Sequence, residues 1–176
     1  RNDVEFTVPF SVNGLQVSSL NPTVPISPSI KKLYIGKNIV SLGENLMGQQ
    51  NNAPNVEYVE VDPANTTFAS YLGVVYRKDG NDFQLTYIPA AMQCVELMPM
   101  ETMYKNTICK HDAVEVLIVA PGTKKIEAWG VEDCPNLKIA YVPADTEIAD
   151  KAFTDVHPDF QIIRGDYTNI PEIRED

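Results

Sequence analysis

The chain has 176 residues, 44% hydrophobic and 22% charged, with a formal net charge of −10. That length supports a domain with its own core. The acidic balance argues against nucleic acid, whose phosphates need a basic face, and against an anionic membrane surface. No apolar run reaches the roughly 18 residues that a membrane-spanning helix needs.

The chain opens with Arg1-Asn2-Asp3 and no initiator Met, which fits a processed chain and leaves secretion open. Residues 1–29 alternate early (Val4, Phe6, Val8) and then turn rich in Pro, Ser and Asn. They are expected to form an N-terminal β cap over the first coil, because a stacked repeat must hide its open end. A remnant of a preceding domain is the other reading.

From Ile30 onward one phrase recurs: an apolar residue, two variable residues, an apolar or small residue, one variable residue and another apolar residue. It occurs as Ile30-Leu33-Ile35, Val56-Val59-Val61, Val114-Leu117-Val119 and Leu137-Ala140-Val142. Looser copies begin at Phe83 (with Thr86 and Ile88) and at Phe160 (with Ile163 and Gly165). The starts are 26, 27, 31, 23 and 23 residues apart, as in a 23-residue unit with three enlarged copies. Turn dipeptides stand directly before four copies: Pro28-Ser29, Pro54-Asn55, Pro135-Asn136 and Pro158-Asp159. Proline fixes φ, and Ser, Asn or Asp bonds its own backbone, so each pair sets up a turn. Proline also ends strands, and Pro63, Pro89, Pro121 and Pro143 close four of the copies. Each phrase is thus a short strand whose fourth and sixth residues share a face.

A second apolar set, Leu42, Val95, Ile126 and Ile148, comes about twelve residues after the phrase starts. Short segments around Leu46-Met47, Trp129-Val131 and Ala152-Phe153 come next. One unit cannot bury its own apolar side, so the units must stack. Within the unit at 61–89, Leu72 to Pro89 reads as a hairpin turning at Asp79-Gly80, where glycine supplies positive φ. Asp79, Asn81 and Asp82 are read as turn residues, since a calcium loop needs more oxygen ligands in a fixed order.

Residues 114–136 and 137–159 resemble the BspA-type leucine-rich repeats of bacterial surface proteins. The resemblance is carried by "APGTKKIEAWGVEDCPNL" (120–137) and "VPADTEIADKAF" (142–153), with Cys134 where the family often has a cysteine. The stretch 61–89 is similar to the family's hairpin insertion. Gly36 stands where the family has Pro, and the unit from Phe83 to Ala113 departs after Pro89. The resemblance implies an α/β, β-rich, right-handed leucine-rich-repeat solenoid over residues 30–165, with short parallel strands, irregular or short helical outer segments and a hairpin insertion at 72–89. Residues 166–176 are expected to be an acidic tail. The resemblance also implies a bacterial cell-surface or extracellular location, with binding to proteins or glycans of a host or neighbouring cell.

No catalytic constellation is expected. His111 and His157 sit beside turns outside any metal-ligand spacing, and no GxSxG, P-loop or GxGxxG motif occurs. Cys109 with His111 lacks the supporting groups that nucleophilic catalysis needs. No metal or cofactor is expected. Cys94, Cys109 and Cys134 have no zinc-like spacing; buried free thiols and a Cys94–Cys109 bridge both remain open.

The candidate site is the outward side of the strand phrase. Its third and fifth positions place Tyr34, Tyr58, Leu85, Tyr87, Ile118, Ile139 and Tyr141 there, although an outward face would ordinarily turn polar. Tyrosine offers a stiff, amphipathic contact at low entropy cost. Recognition of a protein or glycan partner is one reading of this face. Cover by residues 1–29 or by another domain or subunit is a second, and plain β-propensity a third. The function expected is a non-catalytic binding or adhesion module, with a structural spacer or a surface hydrolase as alternatives.

Overall fold

A computed structural model describes residues 5–22, 24, 26–43 and 52–165. The chain divides into two compact units, residues 1–92 and 93–176. In both it winds as β-solenoid coils joined by parallel strand ladders.

In the first unit β1 (Glu5–Thr7) is followed by a small antiparallel hairpin of β2 (Ser11–Val12) and β3 (Leu15–Gln16). Then come β4 (Ser19–Leu20), β5 (Lys32–Ile35), β6 (Ser41–Leu42) and β7 (Tyr58–Val61). β1, β5 and β7 form one parallel ladder and β4 with β6 another. The segment expected as a cap therefore supplies strands in register with the coil after it. Leu33 pairs with Val59 and Ile35 with Val61, so the phrases at Ile30 and Val56 stack column on column, with all six apolar residues buried. Leu46-Met47 and the tail at 166–176 lie outside the described residues.

β8 (Phe68–Tyr71), β9 (Val74–Asp79) and β10 (Asp82–Tyr87) then make a three-stranded antiparallel sheet. It meets the free edge of β7: the Val59 amide donates to the Gly73 carbonyl and the Val61 amide to the Ser70 hydroxyl. Asn65 fixes this junction. It is 1% exposed; its amide donates to the carbonyls of Gly36 and Ile39, and its oxygen accepts from the amides of Thr67 and Phe68. A single side chain thus satisfies four backbone groups across two coils.

The second unit is the regular one. Its first side is the ladder of β11 (Cys94–Glu96), β14 (Val116–Ile118), β17 (Ile139–Val142) and β20 (Gln161–Arg164). The second joins β12 (Thr102–Met103), β15 (Lys125–Ile126) and β18 (Glu147–Ile148). The third joins β13 (Ile108–Cys109), β16 (Val131–Cys134) and β19 (Phe153–Val156). Columns Val95-Leu117-Ala140, Met103-Ile126-Ile148 and Ile108-Val131-Phe153 run through the three sides.

Four expectations change. No helix occurs among the described residues; the outer side is the short strand ladder β13-β16-β19. Phe83 does not begin a coil. It lies 44% exposed on hairpin strand β10, because a hairpin strand alternates apolar residues just as the phrase does. The coil begins instead at Met92-Val95-Leu97, all buried, and Val95, expected on the second side, belongs to the first. At the last copy the frame moves by one residue: Ile162, not Ile163, pairs with Ala140, and a one-residue shift exchanges the two faces of a strand.

Two outcomes check this packing. Asn65→Ala strands four backbone groups, those of Ile39 and Phe68 buried, and is expected to cost about 3 kcal/mol in urea unfolding. Leu117→Ala, in a sealed column, is expected to cost about 3 kcal/mol, whereas Ile163→Ala in the outward column should cost under about 0.5 kcal/mol. Equal losses at the last two positions would contradict the register.

Candidate functional site

The expected outward residues separate by unit and by burial. In the first unit, β5 and β7 alternate outward and buried side chains. Lys32 stands opposite Tyr58, and Tyr34 opposite Glu60. The Lys32 ammonium lies 4.5 Å from the Tyr34 ring centre and 5.0 Å from that of Tyr58. It also pairs with the Glu60 carboxylate at 3.0 Å. Tyr34, and then Glu60, hold the ammonium well above its ordinary range, so it stays charged. One cation thereby ties two aromatic rings and a carboxylate into a fixed 2 × 2 block across two coils.

A glycine forms the floor of this block. Gly73 has φ +86°, and a Cβ there would sit 2.6 Å from a Tyr58 ring carbon. Only a residue without Cβ lets the ring lie against the hairpin backbone. Tyr58 nevertheless stays 37% exposed. Beside the block Lys31 pairs with Glu57 at 2.8 Å, so this part of an acidic chain is locally charge-balanced. Lys31, Lys32, Glu57 and Glu60 are legible in the sequence only as polar residues of the phrase; their pairing needs the register.

The hairpin holds two more of the expected residues. Leu85 is half-buried on β10 and belongs to no parallel ladder. Tyr87 is 6% exposed and packs in the first unit's core, which corrects its expected outward position. In the second unit Ile118 is also buried, at 7% exposure. Ile139 and Tyr141 are half-buried on β17, next to buried Ala140 and Val142.

Two of the three thiols and both histidines are tied into the fold. All three cysteines are free thiols. Burial pushes the Cys134 thiol up to about 11, with the charges nearby adding to it and a His111 backbone contact offsetting part. Burial likewise raises the Cys109 thiol. The His111 ring nitrogen accepts the Val114 amide at 3.2 Å, and the His157 ring nitrogen accepts the Asp159 amide at 3.1 Å, so both rings close turns before strands. Among the described residues no group of three His, Cys, Asp or Glu could hold a metal.

Burial raises the Tyr87 phenol to about 12, partly offset by the Ala90 backbone. Both Cys134 and Tyr87 therefore bind their protons more tightly folded than unfolded, and stability falls as pH rises. The loss is expected to begin near pH 9 for Cys134 and pH 10 for Tyr87, and to be complete above 11 and 12. Melting temperatures from pH 8 upward should show this alkaline limb. Cys134→Ala and Tyr87→Phe should each flatten it, and an unchanged limb in both would refute the assignment.

No protein-family model matches the chain, and no curated protein matches it. Solved structures similar to it include the pneumococcal vaccine antigen PcpA, at 20% identity over 80% of this chain and 40% of that one, with a TM-score of 0.46. A leucine-rich repeat protein from Eubacterium ventriosum aligns at 16% identity over 76% of this chain and 37% of its own, with a TM-score of 0.45. A leucine rich cell surface protein from Faecalibacterium prausnitzii aligns at 14% identity over 91% and 41%, with a TM-score of 0.41. The chain thus spans about two fifths of the length of each of these structures.

Proposed function

We propose that the chain is a non-catalytic recognition module of a bacterial surface protein, meeting a protein or glycan partner on the outward side of its strand ladders. The observation that carries this reading is the Tyr34-Lys32-Tyr58-Glu60 block. Its two rings share one cation, and the Tyr58 ring also lies against Gly73. Part of the ordering cost of binding is therefore met before a partner arrives. Tyrosine gives such a surface apolar area and a hydroxyl handle together. Tyr141 and Ile139 offer a smaller outward pair on β17.

The test is partner capture on protein and glycan arrays, followed by titration of any hit. Tyr34→Ala with Tyr58→Ala is expected to weaken binding by roughly a hundredfold, two aromatic contacts at about 1.4 kcal/mol each. Tyr87→Phe, being buried, should have no effect on affinity. If no captured partner loses affinity to the double substitution in a protein of unchanged melting temperature, the tyrosine block is removed from consideration.

A further inference from the structure

The corners of the second unit carry an aromatic site that the strand face does not include. Between its second and third sides each coil makes the same four-residue turn. The closing bonds run from Thr107 to Tyr104, Gly130 to Glu127 and Ala152 to Ala149, at 3.1, 3.0 and 3.1 Å. The third residue of each turn is left-handed: Asn106 at φ +61°, Trp129 at +57° and Lys151 at +59°. These three stack directly, since the Asn106 amide donates to the Trp129 carbonyl and the Trp129 amide to that of Lys151.

A turn that needs positive φ at its third residue is met cheaply by Gly or Asn, as at Asn106. A side chain such as Trp costs about 1 kcal/mol there. The turn therefore does not account for Trp129, and neither does the core. Trp129 is 38% exposed, and the apolar duty of its coil falls to Ile126 and Val131, both fully buried. Trp129 is also the chain's only tryptophan. The Lys105 ammonium, 5.0 Å from its ring centre, holds the indole from the preceding coil. Tyr104, 65% exposed, stands on the same corner.

The charged residues of the three turns decide the class of ligand. Lys105 and Lys151 are matched in number by Glu127 and Asp150, and among the described residues none of the four is in an ion pair. In a chain of net charge −10, this rim is balanced and rich in both donors and acceptors. An anion would meet Glu127 and Asp150, and a cation would meet the two lysines. A neutral polyol, whose hydroxyls both donate and accept and whose ring C–H faces stack on aromatics, suits every member.

We propose that this corner is a second binding site, for a neutral oligosaccharide stacked on Trp129. It does not depend on the tyrosine block of the first unit. Because tryptophan is unique, its emission reports this site directly. A glycan array is expected to show binding to at least one neutral glycan. Titrating that glycan should then shift or quench the Trp129 fluorescence.

Trp129→Asn, which places the neighbouring coil's own turn residue there, should fold with a melting temperature no lower than the parent's and weaken this binding roughly tenfold. Trp129→Phe should retain part of the affinity, and Tyr34→Ala with Tyr58→Ala should leave it unaltered. No neutral glycan bound, charged glycans alone bound, or equal affinity for Trp129→Asn and the parent chain would each overturn the proposal. Loss of the signal in the tyrosine variant alone would assign the glycan to the strand face and overturn it too.

Discussion

Burial of each coil's apolar edge by its neighbour is the interaction on which the rest depends. A coil of little more than twenty residues cannot enclose a core, so its inward side chains must lie on the same columns as those of the next coil. Leu33 with Val59, and Leu117 with Ala140, are such columns. The parallel ladder that fixes them also satisfies the strand backbone along the stack. Outward positions are thereby relieved of structural duty, apart from cross-coil pairs such as Lys138 with Glu115 at 3.0 Å. Exposed pairs of this kind contribute at most about 1 kcal/mol.

Corners are the harder part of such a fold, because the chain must change direction without leaving buried polar groups unmet. Two devices do this. One is the buried polar side chain that reaches a neighbouring coil, as Asn65 does, or as the Thr146 hydroxyl does in donating to the Thr123 carbonyl at 2.6 Å. The other is left-handed backbone at fixed points of the coil: Asn106, Trp129 and Lys151 before the third side, and Lys110, Asp133 and Asp155 near its end. Strain is thus distributed evenly over the second unit, and what distinguishes one corner from another is only the side chain it displays. That is why an exposed tryptophan at a corner carries functional meaning while the backbone beneath it does not.

The hairpin sheet has a double role. Its edge closes the open side of β7 through Gly73 and Ser70, and the same Gly73 makes room for Tyr58. It also takes Tyr87 into the core. Two tyrosines on the outward positions of the written repeat therefore have opposite fates. One is locked outward by a lysine and a glycine; the other is buried with its proton held up to about 12.

Much of the architecture is legible in the amino-acid order. The phrases at Ile30, Val56, Val114 and Leu137 carry clear spacing, three of them with matched turn dipeptides, and spacing is a local property that a strand enforces through its alternation. The absence of helix from the described outer side and the true start at Met92 are not legible there. Alternation is the same in a hairpin strand as in a solenoid strand, which is how Phe83 imitates a coil. The sequence by itself determined that short strands recur and must stack. Only the tertiary structure decided the frame in which they stack, and with it which tyrosines face outward and which lysine sits over which ring. Those facts depend on register between residues 20 to 30 positions apart, where a shift of one residue exchanges inside for outside.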